Sequence, residues 1–588
     1  MKTQRSLFAA ILLVAFALVA ASAQAGTLNF TSPTALPNSL PGTNQRQGGE
    51  PSVLFDPAGK LVYAASPGGS SFGGNFWRST DGGQTWSQGI SVGSVAGGGD
   101  SDLAVGYDPG HPVFYIDLED LVASDLCVST DQGQSFPSCK NGFATNQQQT
   151  ASDRPWINTT PAHPGVLYGT YDGLAFGGGA PEVQQSTDRG ATFSNCGQVL
   201  QPGSDAFAHF SPTGALENSE TIGKPAVGGD GSLYVPFTEP HMIGQQASEP
   251  SDPTPDNLYV GIGRGGCPSA TQTFKDVTVY KNDQGKGSGF ADIFPYAATD
   301  GGGYVYMLGD GHLTGNQTGL GVYLFVSRDG GLHWSAPIQV DKGPAHAAQL
   351  ASIAGGNGPG EAIIGWYSSP NPDSNSPSAQ WRYNVAYTFD AGHTFTTSTV
   401  TPNPMHFGSI CDFGTECTGG RNLLDFTSVA VNPVNGCGFA VFAGDPYDTP
   451  QNGKTDPAAA YYVRQTGGPC LTKSAAQVPA VHPVPLRPGG KGKRLSLSVR
   501  PSSVAAGTCT TFSFKATTGS GRHRRAVQHA LVRFDGHSGR TGKRGVVRIR
   551  GCLRRAGRFR ARASARGYRN ASAAVRAHPR PRDVDFPG

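Results

Sequence analysis

The chain has 588 residues and a formal net charge of +3, glycine accounts for 83 of the residues, and only 15% are charged. Glycine is therefore about twice as frequent as the usual ~7%, which predicts many turns and excludes a predominantly helical protein. A chain of this length exceeds what one hydrophobic core usually holds, so we expect an all-β protein with at least two domains.

The N-terminal segment 1–25 has the layout of a secretory signal peptide. Lys2 and Arg5 precede an apolar run from Leu7 to Ala21, and the small residues Ala23-Gln24-Ala25 offer a cleavage site. No other stretch approaches the roughly 18 apolar residues that a membrane-spanning helix needs. We therefore expect a secreted, extracellular monomer without an integral membrane segment after cleavage.

Residues 26–476 repeat a unit of about 50 to 70 residues. Each unit begins with a short strand that ends in a turn and continues with three further strands. The seven opening segments are Glu50–Asp56, Asp102–Asp108, Arg154–Thr160, Lys224–Asp230, Phe294–Asp300, Gln349–Gly355 and Phe426–Asn432. Four short strands per repeat predict a β-propeller. A strand from the segment 27–32 is expected to complete the last sheet and close the ring.

A second pattern lies between the third and fourth strands of five units. It reads Ser/Thr, any residue, Asp, any residue, Gly, any residue, Thr/Ser/His, Trp/Phe, and its copies are Ser79–Trp86, Ser129–Phe136, Ser186–Phe193, Ser327–Trp334 and Thr388–Phe395. The aspartate is expected to accept backbone hydrogen bonds in a hairpin turn, and the glycine to adopt a positive φ. The five aspartates, Asp81, Asp131, Asp188, Asp329 and Asp390, are thus predicted to be structural. A degenerate sixth copy is expected near Ile262–Phe274.

Ten cysteines in a secreted chain indicate disulfides, because no metal-ligand spacing such as Cys-x-x-Cys occurs. The repeat frame favours a bridge between Cys127 and Cys139. Proximity or a shared domain favours three further bridges, Cys411–Cys417, Cys437–Cys470 and Cys509–Cys552. The remaining pair, Cys196–Cys267, is then expected to join the third and fourth units.

Residues 477–493 form a predicted Pro/Gly-rich linker, and residues 494–588 a predicted basic, immunoglobulin-like β-sandwich. Residues 486–588 contain 25 Lys and Arg against 3 Asp and Glu, a net charge of +22, whereas the rest of the chain has 20 basic and 39 acidic residues, a net charge of −19.

Arg558, Arg560 and Arg562 alternate with small or apolar residues, so one strand face presents guanidinium groups. Two interpretations stay open: a solvated face that keeps the protein soluble, or attachment to an anionic polymer such as cell-wall phosphopolymer, acidic polysaccharide or extracellular DNA.

The five boxes resemble the Asp-box, or BNR, repeats of the sialidase superfamily, over roughly residues 44–470. The resemblance implies a β-propeller. Sialidases have six blades, whereas the seven openings predict seven. The count is six if the seventh unit, which lacks a box, is an extension. The same box occurs in exo-sialidases, in other glycoside hydrolases and in propellers that only bind. Sialidases hold the sugar carboxylate with three arginines, and Gly49 stands where the first would lie; neither the other two nor the nucleophilic tyrosine has a match.

If the opening segments are the innermost strands, their first residues meet at one mouth of a central channel. These residues are Glu50, Asp102, Arg154 with Asp153 before it, Lys224, Phe294, Gln349 and Asp425. One interpretation is that they pair with one another and stabilise the channel. The other is a sugar site with Glu50, Asp102 and Asp153 as candidate catalytic carboxylates, since glycoside hydrolysis needs two carboxyl groups about 5 to 9.5 Å apart, or a tyrosine in place of one.

In such a site, Arg154, Lys224 and Asp425 are the candidate substrate-binding residues. Trp156 is a candidate for stacking on a sugar ring, although core packing is the favoured alternative. His241 and His406 lack ligand spacing, so we expect no catalytic metal and no cofactor. The carboxylates of the loop 249–257 are able to hold a structural Ca²⁺, with a solvated loop as the favoured alternative.

Two functions follow from these patterns. The first is a secreted, sialidase-like glycoside hydrolase of exo-glycosidase type that acts on a carbohydrate or glycoconjugate. The second is a propeller that binds glycan or protein without chemistry and is tethered through its basic domain.

Overall fold

The computed structural model describes the residues 27–39, 48–68, 73–93, 100–119, 123–137, 139–143, 152–173, 180–210, 222–238, 257–267, 273–281, 289–290, 294–313, 319–342, 346–411, 419–450, 456–472, 493–519, 523–535, 537–565, 568–569 and 571–578. The chain divides into two compact units, Met1–Val481 and His482–Gly588, and the division falls inside the predicted linker. The predicted signal peptide 1–25 lies outside the described residues, as does all of the linker except Lys493. No helix in the described part of the chain is long and apolar enough to cross a membrane.

The described residues of the first unit form seven antiparallel sheets, each of at least four strands. The first four sheets consist of β3 (Ser52–Phe55), β4 (Val62–Ser66), β5 (Gly74–Ser79) and β6 (Ile90–Val92); β7 (Ser101–Val105), β8 (Val113–Glu119), β9 (Ala123–Ser129) and β10 (Cys139–Asn141); β11 (Ser152–Asn158), β12 (Leu167–Gly173), β13 (Ala180–Ser186) and β14 (Ser194–Gln198); and β15 (Ala226–Val227), β16 (Leu233–Thr238), β17 (Leu258–Gly263) and β18 (Lys275–Tyr280). One short helix, α1 (Asp205–Phe210), lies between the third and fourth sheets in the chain.

The fifth sheet contains β19 (Gly289–Phe290), β20 (Tyr296–Thr299), β21 (Val305–His312), β22 (Gly321–Ser327) and β23 (Ile338–Gln339), and the sixth contains β24 (Ala347–Gly355), β25 (Ala362–Ser369), β26 (Gln380–Thr388), β27 (Thr396–Thr399) and β28 (His406–Phe407). The seventh joins β29 (Ser428–Val431), β30 (Gly438–Gly444) and β31 (Ala459–Gly467) to β1 (Asn29–Phe30) and β2 (Thr34–Ala35) from the other end of the unit. Asn29 pairs with Gly467, which confirms the prediction that the segment 27–32 completes the last sheet.

Each sheet is apolar on both faces because it packs between two neighbours. In β4, Val62 and Ala64 pack toward the seventh sheet, while Tyr63 and Ala65, on the opposite face, pack toward the second. A hydrophobic cluster lies between every pair of consecutive sheets, and the cluster between the first and seventh makes the series cyclic. This arrangement of four-stranded sheets is typical of a β-propeller.

Each opening segment contributes an edge strand to its sheet, and these edge strands lie side by side. Strand β3 contacts β7 and β29, β7 contacts β11, and β24 contacts β20 and β29. The residues at the starts of these strands therefore lie close together, at one mouth of the cyclic arrangement of sheets.

The five predicted boxes begin at the last residue of the third strand in their sheets. In the first copy, Asp81 Oδ1 accepts hydrogen bonds from Thr85 N (2.9 Å) and Ser79 Oγ (2.8 Å), and Oδ2 accepts one from Thr85 Oγ1 (2.6 Å). The other four aspartates accept equivalent bonds. Gly83 has φ +84° and an added Cβ would lie 2.3 Å from the Phe439 ring, so the turn requires glycine for both conformation and space.

Four disulfides agree with the predicted pairs: Cys127–Cys139, Cys196–Cys267, Cys437–Cys470 and Cys509–Cys552. The second of these joins β14 of the third sheet to the segment after β17 of the fourth. Cys411 is disulfide-bonded, but Cys417, its predicted partner, lies outside the described residues.

The described residues of the second unit form two five-stranded sheets around one core. Its strands are β32 (Lys493–Arg500), β33 (Ser503–Ala505), β34 (Thr508–Thr518), β35 (Arg525–Ala526), β36 (Leu531–Phe534), β37 (His537–Arg540), β38 (Val546–Leu553), β39 (Gly557–Ser564), β40 (Tyr568–Arg569) and β41 (Ala571–His578). One sheet has the order β35-β34-β32-β40 with β38 paired to β34, and the other has the order β33-β41-β39-β36-β37. Phe512 of the first packs on Phe534 of the second at 4.9 Å between ring centroids.

The disulfide of this unit joins Cys509 in β34 to Cys552 in the adjacent strand β38. In immunoglobulin domains the corresponding bridge links the two sheets. The immunoglobulin-like assignment therefore stays a prediction.

Candidate functional site

The candidate site lies where the first strands of the propeller begin, and Glu50 is at its centre. The Glu50 carboxylate accepts hydrogen bonds from two backbone N–H groups, Asp100 N to Oε2 (3.1 Å) and Asp425 N to Oε1 (3.1 Å). One side chain thus joins the first sheet to the second and the seventh. Only 1% of Glu50 is exposed, so its two hydrogen bonds lie away from solvent.

Arg154 connects the second and seventh sheets to the third. Its Nη1 donates to Asp100 Oδ1 (2.9 Å) and Oδ2 (3.1 Å) and to Asp425 Oδ2 (3.1 Å). Arg421 binds the Asp425 carboxylate with both terminal nitrogens, with Nη2 2.6 Å from Oδ2. We call this group, Glu50, Asp100, Arg154, Arg421 and Asp425, the axial network.

Burial raises the pKa of Glu50 well above its usual range, and the neighbouring carboxylates of Asp100 and Asp425 raise it further, while Arg154 opposes them. Glu50 therefore favours its protonated form. Two carboxylates then face two guanidinium groups, so the buried network is electrically balanced.

A second ion pair lies beside the axial network. Lys224 Nζ is 2.5 Å from Asp102 Oδ1, Ser52 Oγ donates to the same oxygen at 3.3 Å, and Ile157 N donates to Oδ2 at 3.1 Å. Asp102 is completely buried, whereas the side chains of Lys224 and Arg421 are 24% and 25% exposed. Lys224 and Arg421 are therefore partly exposed to solvent, whereas Arg154 and the carboxylates are buried.

Aromatic side chains pack against both groups from within. The Arg154 guanidinium lies 4.4 Å from the centroid of the Phe294 ring, and Lys224 Nζ lies 5.1 Å from that of Trp156. Trp156 packs on Phe426 at 4.9 Å and on Tyr296 at 6.1 Å between centroids and is 2% exposed. Trp156 therefore lies in the core, in agreement with core packing, the favoured alternative.

The structure brings together most of the residues predicted to meet at the mouth. Glu50, Arg154 and Asp425 belong to the axial network, Asp102 pairs with Lys224, and Phe294 contacts Arg154. Asp153 lies in β11, but its side chain is outside the described residues. Gln349 is buried in β24, and its amide nitrogen and oxygen have no partner among the described residues.

Sequence reasoning missed three residues of this region: Asp100, Arg421 and Tyr296. Counting back from the turn that ends each opening segment leads to Asp102, but β7 begins at Ser101 and Asp100 lies immediately before that strand. Asp100, like Glu50 and Arg154, has a positive φ (45°, 48° and 55°). Because side chains two apart share a strand face, a search two residues ahead of each opening would have found Asp100. Arg421 precedes Asp425 by one helical turn's spacing, outside any strand pattern.

Tyr296 is buried beside the acidic groups, and its hydroxyl donates to the Thr427 carbonyl oxygen at 3.2 Å. Burial raises its pKa, and the charge of Asp102 raises it further. The phenol is therefore held neutral.

The described residues contain one close group of metal-ligand types, Asp125, Cys127 and Cys139, but the two cysteines form a disulfide. His406 is buried, with Nδ1 2.8 Å from Asp445 Oδ1 and Nε2 3.0 Å from the Ser409 carbonyl oxygen, so both ring nitrogens are occupied by protein partners. His241 and the acidic loop at 249–256 lie outside the described residues.

In comparisons with known proteins, no family model matches this chain and no curated protein sequence does. Solved structures match at low similarity. They include a protein of unknown function from Dyadobacter fermentans (12% identity, covering 75% of this chain and 100% of that one, TM-score 0.40), an ulvan lyase of a polysaccharide lyase family (11%, 76% and 97%, TM-score 0.43) and a xyloglucanase from Xanthomonas campestris (14%, 93% and 81%, TM-score 0.38). At these values the matches assign no activity, substrate or site residue to this chain.

Proposed function

We propose that the first unit is a seven-bladed, glycan-binding β-propeller, exported from the cell, that holds a carbohydrate at the mouth formed by the opening strands and does not cleave it. The observation that carries this proposal is that Glu50 and Asp102, the two candidate catalytic carboxylates whose side chains are described, are buried and engaged. Two backbone N–H groups occupy Glu50, and Lys224, Ser52 and the Ile157 N–H occupy Asp102.

Hydrolysis requires a different arrangement of the same residue types. A general acid must reach the glycosidic oxygen, and a second carboxylate or a tyrosine must reach the sugar ring or a water on its other face. Glu50 has the raised pKa of an acid, but it is 1% exposed and its carboxyl oxygens face backbone N–H groups. Tyr296, which interacts with these acids, is buried and its pKa is raised, which opposes a nucleophilic role.

The partly exposed cations support binding. An ammonium group offers three donors and a guanidinium five, and the described contacts use one donor of Lys224 and two of Arg421. The remaining donors are available for hydroxyl or carboxylate oxygens of a sugar at the mouth. The buried carboxylates beneath fix both cations in place, which lowers the entropy lost on binding. The resemblance of the five boxes to the sialidase superfamily supports a carbohydrate as the ligand.

The second unit attaches the protein to an anionic polymer in this proposal. Its segment 486–588 carries a net charge of +22, while the rest of the chain carries −19. Opposite charges on the two parts allow the second to associate with a polyanion that the first would repel.

A glycan array probed with the full chain tests the proposal for the propeller. We expect retention on at least one glycan class, a loss of about tenfold or more for Lys224→Gln, and no loss for Lys342→Gln, an exposed lysine of the same unit. Equal retention of both variants would exclude this mouth as the binding site.

A panel of chromogenic glycosides tests the absence of chemistry. We expect no turnover by the wild-type protein. Turnover that Glu50→Gln or Asp102→Asn abolishes in a folded protein would replace the binding function with glycoside hydrolysis at this site.

A further inference from the structure

One sheet face of the second unit carries five arginines that project away from the core. They are Arg533 in β36, Arg558, Arg560 and Arg562 in β39, and Arg576 in β41, and all five are exposed. We call this surface the arginine face. Its other residues on the same three strands are Leu531, Ser564, Ser572, Ala574 and His578, so the guanidinium groups stand above short side chains apart from the partly buried Leu531 and the terminal His578.

The residues between the arginines explain why they all face outward. Ala561 and Ala563 in β39 are buried against the core, as are Val532 in β36 and Val575 in β41. Because side chains alternate along a strand, the residues between these apolar positions must point to the opposite side of the sheet. The pattern therefore places the cations on one face of three adjacent strands.

The pairing register places like charges directly opposite one another. Arg558 pairs with Arg576 across β39 and β41, and Arg562 pairs with Arg533 across β39 and β36. Like charges at opposed positions of neighbouring strands destabilise a sheet. In the described part of this unit, Asp535 is the one acidic residue, and it accepts a hydrogen bond from Cys552 N in the other sheet (2.8 Å). None of the five arginines has an ion-pair partner in the described residues.

The outer face of the other sheet is basic as well, and Arg494 pairs with Arg569 at its β32–β40 edge, but the cations of β34, β38 and the end of β32 are arranged differently. Arg500 pairs with Ser513, Ser513 with Arg548, Lys515 with Ser498 and Arg550 with Thr511. Each of these cations therefore faces a hydroxyl group. Cations opposite hydroxyl groups are sufficient where positive charge serves only solubility. The opposed pairs of the arginine face require another reason.

The dimensions of the arginine face suit an extended polyanion. Successive arginines in β39 lie about 6.7 Å apart along the strand, and the neighbouring strands add cations about 4.8 Å to each side. The patch is thus roughly 14 Å long and 10 Å wide. Guanidinium groups bind carboxylates and other oxyanions through two parallel hydrogen bonds.

The surface is less suited to nucleic acid. Sequence-independent binding of single strands relies on aromatic side chains that stack on bases, and the described residues of this unit expose no large aromatic ring. Base readout in a duplex relies on an element that enters a groove, whereas the five arginines lie on one face of a sheet. An acidic polysaccharide presents charges along an extended chain and requires neither feature.

We infer that the arginine face binds an acidic polysaccharide, a glycan with a carboxylate or sulfate on each repeat, and that this contact attaches the chain to its surroundings. The inference rests on the proposed attachment role of the second unit. The glycan specificity of the propeller is independent of it.

Binding of the full chain to immobilised polygalacturonate tests the inference, with neutral dextran and a 30-base-pair DNA duplex as comparison ligands. The triple variant Arg558→Gln, Arg562→Gln, Arg576→Gln removes both opposed pairs. The matched control, Arg500→Gln, Arg548→Gln, Arg550→Gln, removes the same charge from the other sheet. A cation beside an anionic surface contributes roughly a factor of five, so we expect the first triple to weaken binding about 100-fold and the control by less than about tenfold, and we expect wild-type binding to fall steeply with salt.

Equal losses for the two triples would show that overall charge, not the arginine face, determines binding and would overturn the inference. Tighter binding of the DNA duplex than of polygalacturonate at equal salt would overturn the polysaccharide assignment. Lys224→Gln separates the two proposals, because loss of array binding with retention on polygalacturonate places the two ligands on different surfaces. Calorimetry of each triple establishes that the losses occur in folded protein.

Discussion

Both units of this protein gather positive charge, but they surround it in opposite ways. In the axial network, Arg154 and Arg421 are neutralised by Asp100 and Asp425 in an almost dry environment. On the arginine face, five arginines lie in water, two pairs of them directly opposite one another, without any carboxylate on the same strands. A charge that has partners within the fold stabilises structure, whereas a charge without partners is available for a ligand.

The axial network and the arginine face also differ in backbone strain. The axial network uses three non-glycine residues with positive φ, each of which costs of the order of 1 kcal/mol or more. Glu50 and Asp100 lie just before β3 and β7, Arg154 lies near the start of β11, and all three belong to the axial network. The arginine face uses regular strands, so its cost is electrostatic repulsion that salt or a polyanion relieves.

The largest effect is expected when a buried charge loses its partner. Arg154→Met leaves the Asp100 carboxylate without a cation and Asp425 with Arg421 alone, and breaking a buried pair in this way typically costs about 3–5 kcal/mol. All six tryptophans lie in the first unit, so tryptophan fluorescence during urea unfolding reports the free energy of this unit. Lys281→Met, which removes an exposed ion pair with Asp205, should cost less than about 1 kcal/mol. Similar losses in the free energy of unfolding would show that the axial network is accessible to solvent and stabilises the fold no more than an exposed ion pair does.

Glu50 provides a test with a defined pH dependence. In Glu50→Gln, one of the two backbone N–H groups faces an amide NH₂ in place of an oxygen, which should cost about 1–3 kcal/mol. Because burial, with help from Asp100 and Asp425, raises the folded-state pKa above the usual 4.5, protonated Glu50 stabilises the fold below about pH 4.5, and this contribution is lost as pH rises.

The difference in unfolding free energy between wild type and Glu50→Gln should therefore shrink from pH 4.5 upward. Glu50→Ala provides the control, since it removes both acceptors and should be the less stable variant at every pH. A difference that grows with pH would mean that Glu50 is ionised in the fold.

Much of the propeller is predictable from local pattern, and the site is predictable only in part. The opening strands, the five box turns and four disulfides depend on residues close in the sequence or on the repeat frame. Glu50, Arg154 and Asp425 were expected at one mouth because they begin equivalent strands. Asp100 was missed because it lies two residues ahead of the predicted opening, just before β7, and Arg421 because it reaches Asp425 from a segment between sheets. The burial of the carboxylates depends on the packing of seven sheets, which no single repeat specifies.

The box aspartates offer a smaller effect that separates the two units. Although burial raises the pKa of Asp81, hydrogen bonds from Thr85 and Ser79 lower it overall to about 2, and Asp131 behaves alike. Their contribution to stability is thus present above pH 3.8 and is lost as pH falls to about 2. The double variant Asp81→Asn, Asp131→Asn should lose about 1 kcal/mol per box at neutral pH and show a flatter decline in unfolding temperature between pH 4 and pH 2.

Asp205→Asn, a change at an exposed aspartate of the same unit, should leave the acid dependence unaltered. The second unit has only three acidic residues in 486–588 and should keep its hydrogen-exchange protection over the same pH range. Parallel loss of both units on acidification would contradict the assignment of acid sensitivity to the boxes.

The smallest effect concerns the opposed pairs of the arginine face and has the reverse sign. Arg576→Gln removes the cation opposite Arg558 and should stabilise the second unit by about 0.2–1 kcal/mol at low salt. Hydrogen exchange of the amides in β39 of the full chain measures this change, and the gain should disappear at high salt because the repulsion is screened. Arg548→Gln, whose cation faces Ser513, should give no such gain. If Arg576→Gln instead loosens β39, the guanidinium groups stabilise one another's sheet by packing, and the surface carries no electrostatic cost that a polyanion would relieve.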